Sequence, residues 1–136
     1  IFKDFARFAK RDNIPFVVNS QFPMNSLYVM RALAAMQNNN NYLEFATGLY
    51  RGMWETDRDL TNLEVVVKIG EEAGINPVEL SDKIALPETK QLLIDLTQTA
   101  VDRGAFGAPV FFIGDEMHFG QDRMDFVIED IMNLPE

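Results

Sequence analysis

The chain has 136 residues, and its composition, 47% hydrophobic and 24% charged, is that of one ordinary globular domain. A formal net charge of −9 argues against binding to nucleic acid or to an anionic membrane surface, because their phosphates would repel it. The absence of cysteine excludes a disulfide, a Cys-x-x-Cys redox pair and a thiolate metal site within these residues, and the single histidine leaves no His-rich metal site.

Apolar residues at helical spacing predict five or six helices over the first 104 residues. The first helix carries Phe2, Phe5 and Phe8 and ends at Asn13, and an extended stretch follows it. Asn25 or Ser26 is then placed to cap the second helix.

Polar and proline residues predict where the later helices begin. Thr61 and Glu64 match the S/T-x-x-E capping box. Asn76-Pro77 predicts an N-cap followed by a first-turn proline. Pro87 opens a long helix that ends near Gly104.

The period changes in "APVFFIGDEMHFG", where β-branched and aromatic residues surround Gly114-Asp115. This pattern predicts a hairpin with strands at about residues 109–113 and 116–119, followed by an amphipathic helix that Asp122 caps. A lone two-stranded hairpin is marginally stable in water. Because the chain starts at Ile1, inside a predicted helix, and supplies no other strand, we expect the remaining strands to precede Ile1.

Pro109 stands at the entry of the first predicted strand, where a proline cannot donate a ladder hydrogen bond. It is either an ordinary edge residue or the second residue of a cis peptide bond. A cis bond would leave the N–H and the C=O of Ala108 free to pair with an extended peptide.

The segment from Gly120 to Arg123 opens the last predicted helix. Free N–H groups at a helix N-terminus attract a carboxylate, and the side chain of Asp122 can bind an ammonium group. The segment therefore fits an amino-acid zwitterion, although composition alone favours Asp122 as an ordinary N-cap. His118 is predicted to be a half-exposed strand residue.

The segment "GAFGAPVFFIGDEMHFGQDRMDFV" resembles the C-terminal signature of the 2-hydroxychromene-2-carboxylate isomerase family, which is related to kappa-class glutathione transferases and DsbA-type oxidoreductases. The segment "DFARFAKRDNIPFVVNSQFPMNSLYVMRAL" resembles the start of the helical insert of that family. The resemblance implies an α/β, thioredoxin-like fold whose sheet is interrupted by an all-helical insert. Residues 1–104 would form the insert and residues 105–136 the C-terminal hairpin and helix. The N-terminal β-α-β unit of the family has no counterpart in this chain.

The resemblance also implies which residues form the site. In the family the proline is cis and the backbone before it holds the cysteine part of glutathione, which carries over to Ala108 and Pro109. Contacts at the strand end and at the following helix start carry over to Phe119, Gly120, Gln121 and Asp122. Asn25 is a secondary candidate for lining the substrate pocket. The serine that activates the thiol in the family would lie before Ile1, so the catalytic residue is unknown.

The activity implied is a glutathione-dependent isomerisation of ring-opened aromatic acids by reversible thiol addition, as a step of aromatic catabolism in the cytoplasm. The implied partners are glutathione and a small aromatic acid, with no nucleic acid, no membrane and no metal, and a homodimer is one assembly to test. Without the serine, these residues alone are not expected to turn over substrate.

Two other functions fit the same residues. One is a DsbA-like thiol-disulfide oxidoreductase with its Cys-x-x-Cys pair before Ile1. The other is a non-catalytic thioredoxin-like protein that binds a thiol peptide or a partner strand. Glutathione binding without turnover would indicate the latter.

Overall fold

The computed structural model describes residues 2–135, which form seven α-helices and one two-stranded sheet. The six helices before the sheet are α1 (Phe2–Asp12), α2 (Leu27–Met36), α3 (Tyr42–Trp54), α4 (Leu63–Glu72), α5 (Pro77–Ala85) and α6 (Pro87–Asp102). The sheet and its successors are β1 (Val110–Ile113), β2 (Glu116–Phe119), a 3₁₀ turn (Gln121–Arg123) and α7 (Met124–Met132). The predicted order of five or six helices, a hairpin and a last helix is therefore confirmed, with six helices before the hairpin. No helix within residues 2–135 combines the length and apolarity needed to cross a bilayer.

The chain divides into two compact units, of which the first ends at Ile94 and the second begins at Asp95. The division falls inside α6, so this helix contributes one part to each unit. The predicted assignment of residues 1–104 to an insert and 105–136 to a thioredoxin-like domain stays a prediction. The first unit is called the helical unit below, and the second is called the hairpin unit.

The core of the helical unit lies among α2, α3, α4 and α5. Its largest fully buried side chains are Phe45, Met36, Ile69, Leu80, Ile84 and Val66. Burying a side chain of this kind stabilises a fold by roughly 1.5–3 kcal/mol. Gly70 on α4 allows α5 to approach closely, because a Cβ there would overlap the side chain of Leu80.

The start of α4 differs from the predicted capping box. The N-cap is Asn62, whose Oδ1 accepts a hydrogen bond from the N–H of Glu64 at 2.9 Å. The hydroxyl of Thr61 instead donates to Oδ1 of Asp59 at 2.6 Å. Thr61 was the wrong cap because a neighbouring carboxylate binds its hydroxyl, while Asn62 supplies an equally good capping oxygen.

The start of α5 confirms its prediction. The side chain of Asn76 accepts hydrogen bonds from the N–H groups of Val78 and Glu79, each at 3.0 Å, and Pro77 occupies the first turn. Both capping bonds satisfy donors that a helix start would otherwise leave unpaired. This local signal was therefore sufficient to predict the helix.

The hairpin pairs β1 and β2 antiparallel, with a register from Val110 opposite Phe119 to Ile113 opposite Glu116. The turn contains Gly114 at φ 58°, as the Gly-Asp signal predicts. Arg103 fixes this turn to the end of α6, because its Nη2 donates to the carbonyl of Gly114 at 2.8 Å. The guanidinium also lies 4.0 Å from the ring centre of Phe112, a cation–π contact.

His118 connects β2 to α7. Its Nε2 lies 2.7 Å from Oδ2 of Asp130, and its side chain is 16% exposed. The predicted half-exposed position is thus more buried than expected, because Asp130 on α7 covers it. The hydrogen bond fixes the last helix against the hairpin.

Candidate functional site

One hydrogen bond joins the two segments that contain the predicted glutathione residues. The carbonyl of Pro109 accepts the N–H of Gly120 at 3.0 Å. This bond extends the β1–β2 ladder by one step, beyond the pair of Val110 and Phe119. The structure therefore brings together six predicted residues at one end of the hairpin: Ala108, Pro109, Phe119, Gly120, Gln121 and Asp122.

Ala108 presents unpaired backbone groups at this end. The Ala108–Pro109 peptide bond is cis, which confirms the prediction. Within residues 2–135 neither the N–H nor the C=O of Ala108 makes a hydrogen bond, and the residue is exposed. A donor and an acceptor on one exposed residue can pair with an extended peptide, as in strand addition.

Gly120 brings the carboxylate of Asp122 against the strand end. Its backbone has φ 103° and ψ 147°, a conformation that is essentially restricted to glycine. A Cβ at this position would lie 2.5 Å from Oδ1 of Asp122, closer than atoms can approach. A side chain at Gly120 would therefore strain the backbone and would also displace the carboxylate of Asp122.

Asp122 is not the N-cap of the last helix, so that prediction was wrong. A 3₁₀ turn occupies Gln121–Arg123, and α7 begins at Met124 with no side-chain capping bond. The added turn moves the helix start two residues beyond Asp122. The carboxylate is therefore not used in capping, and its Oδ2 accepts from Nη1 of Arg123 at 3.1 Å.

The pair of Asp122 and Arg123 leaves the carboxylate accessible. The two side chains are 64% and 53% exposed. An ion pair this exposed contributes about 0–1 kcal/mol, because water screens it. The ammonium group of a ligand can therefore bind Asp122 together with Arg123 or displace Arg123 from it.

Phe106 is a neighbour of this site that was not predicted from the sequence. Its ring lies 4.7 Å from that of Phe119, and the two side chains are 71% and 44% exposed. Gly107 makes room for the pair, since a Cβ there would lie 3.0 Å from the Phe119 ring. The signal was present in "GAFG", where an aromatic residue stands three positions before Pro109.

Asn25 belongs to the helical unit, and the six residues above belong to the hairpin unit. Its Oδ1 accepts the N–H of Leu27 at 3.0 Å, so Asn25 rather than Ser26 supplies the side-chain bond at the start of α2. Its predicted place in a substrate pocket stays a prediction. In the part of the chain that the structure describes, no three acidic or histidine side chains converge as a metal site would require.

The DSBA-like thioredoxin domain family model matches residues 1–132. The chain is 33% identical over 111 residues to glutathione S-transferase kappa 1 of Homo sapiens, covering 75% of this chain and 49% of the relative. It is 24% identical over 124 residues to a 2-hydroxychromene-2-carboxylate isomerase of Sphingobium xenophagum, covering 91% of this chain and 63% of the relative. An isomerase of the same name from Pseudomonas sp. (strain C18) is 28% identical over 133 residues, covering 93% and 58%.

A solved structure of a 2-hydroxychromene-2-carboxylate isomerase matches the chain with a TM-score of 0.79 at 22% identity. The match covers 95% of this chain and 62% of that one. At this identity the likeness shows the fold, and the predicted thioredoxin-like fold is confirmed. The chain spans 49 to 63% of the length of these relatives.

Proposed function

The chain belongs to the family of DSBA-like thioredoxin domains. From this premise we propose that the protein is a glutathione-dependent isomerase of the 2-hydroxychromene-2-carboxylate type, and that this chain binds the glutathione. The proposed substrates are ring-opened aromatic acids, and the proposed reaction is reversible thiol addition. Two relatives are named as isomerases of this type and a third as a glutathione transferase, which supports the proposal.

One observation carries the assignment of glutathione: the unpaired peptide groups of Ala108 lie at the same hairpin end as the Asp122 carboxylate. Glutathione is a short extended peptide with an α-amino-acid end. In the proposed complex, Ala108 pairs with its cysteine part and Asp122 accepts its ammonium group. In the same proposed complex, the first N–H groups of the 3₁₀ turn, at Gln121 and Asp122, face the α-carboxylate of that amino-acid end of glutathione.

In this proposal the residues of this chain bind and orient glutathione and the substrate, and the reacting thiol belongs to glutathione. Bound glutathione supplies the thiolate that adds reversibly to the conjugated acid, which agrees with a chain that has no cysteine. We assign to Phe106 and Phe119 a contact with the aromatic part of the substrate, because the paired rings are exposed and Phe119 lies against Gly107, the residue before Ala108. Asn25 is retained as a secondary candidate for the substrate pocket.

We also propose that the protein works in the cytoplasm, since the reaction requires reduced glutathione and the cytosol keeps thiols reduced. A homodimer is the proposed assembly. Light scattering of the protein as it elutes from a size-exclusion column would give its mass and decide between monomer and dimer.

The proposed reaction is tested by following both the substrate and the thiol. The protein, purified from its source, is mixed with a 2-hydroxychromene-2-carboxylate, and absorbance follows isomerisation. We expect turnover only with reduced glutathione, and an unchanged titre of free thiol at the end. Turnover without glutathione, or none with it, would reject the isomerase assignment.

A glutathione transferase is the second candidate, favoured by the 33% identity to the human relative. The two activities differ in the fate of the thiol. A transferase consumes one thiol for each aromatic electrophile, whereas an isomerase releases it unchanged. The same titration of free thiol therefore separates them.

A further inference from the structure

A cavity of about 200 Å³ lies in the helical unit, between α2, α3 and the segments beside them. Three methionines line it, Met24, Met30 and Met53, together with the rings of Tyr50 and Trp54. The space is an open cleft with mainly apolar walls, because two of the lining side chains, Met30 and Tyr50, are exposed. It is formed by helical-unit residues and contains none of the residues assigned to glutathione.

The chemistry of the walls selects an uncharged ligand. Among the described residues that line the cavity none is charged, and the polar side-chain groups are the hydroxyls of Ser26 and Tyr50 and the indole N–H of Trp54. A carboxylate or ammonium group entering it would lose its hydration without gaining a counter-ion. Thioether side chains adapt their shape and make favourable contacts with aromatic rings.

The size of the cavity suits a small ring system. An engineered apolar cavity of about 150 Å³ is known to bind benzene. The cavity in this chain is about one third larger at about 200 Å³. One or two fused rings are therefore the appropriate ligand size.

One wall of the cavity is held in place and the mouth is open. Trp54 stacks on Phe16 at 5.8 Å, and its carbonyl accepts the N–H of Val17 at 2.7 Å. Met30 and Tyr50, in contrast, are 44% and 70% exposed. A ligand can thus enter beside these exposed side chains and contact the indole of Trp54.

We propose that this cavity is a second binding site, which takes an uncharged aromatic molecule of one or two fused rings. The ligand class differs from the ring-opened acids of the proposed reaction, because a carboxylate has no partner here. The proposal therefore stands or falls independently of the isomerase assignment.

Methionine methyl signals test the proposal with indole as the probe. The chain contains seven methionines, all of which can be labelled with ¹³C at the methyl group. We expect indole to shift the signals of Met24, Met30 and Met53 in a saturable manner, while Met36, Met117, Met124 and Met132 stay unmoved. Indole-3-carboxylate should leave all seven signals in place. Equal shifts at all methionines, or none at the three that line the cavity, would overturn the proposal.

A filled cavity provides the matched variant. Ala46 on α3 lines the cavity, so Ala46→Leu should weaken indole binding at least tenfold. Ala85→Leu adds the same volume at an exposed position of α5 and should leave binding unchanged. A folded Ala46→Leu variant that binds indole like the parent would contradict the proposal. If that variant does not fold, the methyl shifts in the parent chain decide.

Discussion

Asp122 is the residue through which the proposed glutathione site is most directly tested. Asp122→Asn keeps the shape of the side chain and removes its charge. We expect glutathione to bind more weakly by up to about fivefold, because an ion pair with a carboxylate this exposed contributes about 0–1 kcal/mol. Isothermal titration measures the change. Since Asp122 caps no helix, the melting temperature should stay the same.

Two controls separate this role from a general loss of negative charge. Asp125→Asn removes an exposed carboxylate from the first turn of α7 and should bind glutathione like the parent. N-acetylglutathione lacks the ammonium group, so the parent and Asp122→Asn should bind it equally. A parent protein that binds both forms of glutathione alike would reject Asp122 as the ammonium ligand.

Gly120 is the residue at which backbone geometry is most restrictive. Gly120→Ala should lower the free energy of unfolding by roughly 1–3 kcal/mol, because its backbone lies in a region that only glycine adopts readily. Gly104→Ala is the comparison, since Gly104 has φ 95° but no atom within 4 Å of an added Cβ. Chemical denaturation should show a larger loss for Gly120→Ala. An equal loss would indicate that contact with Asp122 contributes nothing.

At the scale of the elements, the hairpin and the last helix are joined through His118. Asp130→Ala removes the carboxylate that accepts from its ring, and leaves a partly buried nitrogen without a partner. We expect a loss of about 1–2 kcal/mol in unfolding free energy. Glu129→Ala, at an exposed neighbour on α7, should change stability by less than about 0.5 kcal/mol. Equal free energies of unfolding for the two variants would show that the bond between His118 and Asp130 contributes nothing to stability.

The start of α4 provides a second test at this scale. Asn62→Ala should lower stability by about 1 kcal/mol, because the N–H of Glu64 loses its acceptor. Thr61→Ala should cost less, since its hydroxyl bonds to Asp59 and not to the helix. Circular dichroism during thermal unfolding compares the two. A larger loss of stability for Thr61→Ala than for Asn62→Ala would identify Thr61 as the cap.

Elements were predictable from the sequence where one short segment determines the outcome. Asn76-Pro77, Pro87 and Gly114 each carry their own conformational preference, and each marks an observed boundary. Prediction failed where neighbouring side chains compete, as Asp59 does for the hydroxyl of Thr61.

The site shows the same division between local and spatial information. The local sequence left two possibilities open at Pro109, and the family resemblance predicted the cis bond that is observed. The bond between His118 and Asp130 joins residues twelve positions apart, and the contact of Phe106 with Phe119 spans the whole hairpin. Neither pairing is visible in a local pattern. The 3₁₀ turn that removes Asp122 from the helix start likewise has no simple residue signature.

For the whole molecule, stability should depend on pH through the pair of Arg58 and Glu72. The two side chains form two hydrogen bonds, at 2.7 and 2.9 Å, and are 31% and 48% exposed. Hydrogen bonding to Arg58 lowers the pKa of Glu72 below its ordinary value of 4.5. The folded state therefore binds fewer protons, so the stabilisation is present above that value and is lost as the pH falls through the lowered pKa.

Glu72→Gln measures this contribution. At neutral pH the free energy of unfolding of the variant should be lower than that of the parent. The difference should be less than about 1 kcal/mol, because the pair is partly exposed. The difference should shrink as the pH falls below the ordinary pKa of the carboxyl. Glu64→Gln, at an exposed position in the first turn of α4, is the matched control. A difference that grows on acidification would contradict the expected sign.

The most direct test of the proposed glutathione site maps it on the chain itself. Amide chemical shifts of the ¹⁵N-labelled protein are recorded during titration with reduced glutathione. We predict saturable shifts at the N–H groups of Ala108, Gly120, Gln121 and Asp122, which surround the unpaired backbone at the hairpin end. Saturating glutathione that leaves these four signals unmoved would contradict the proposed function.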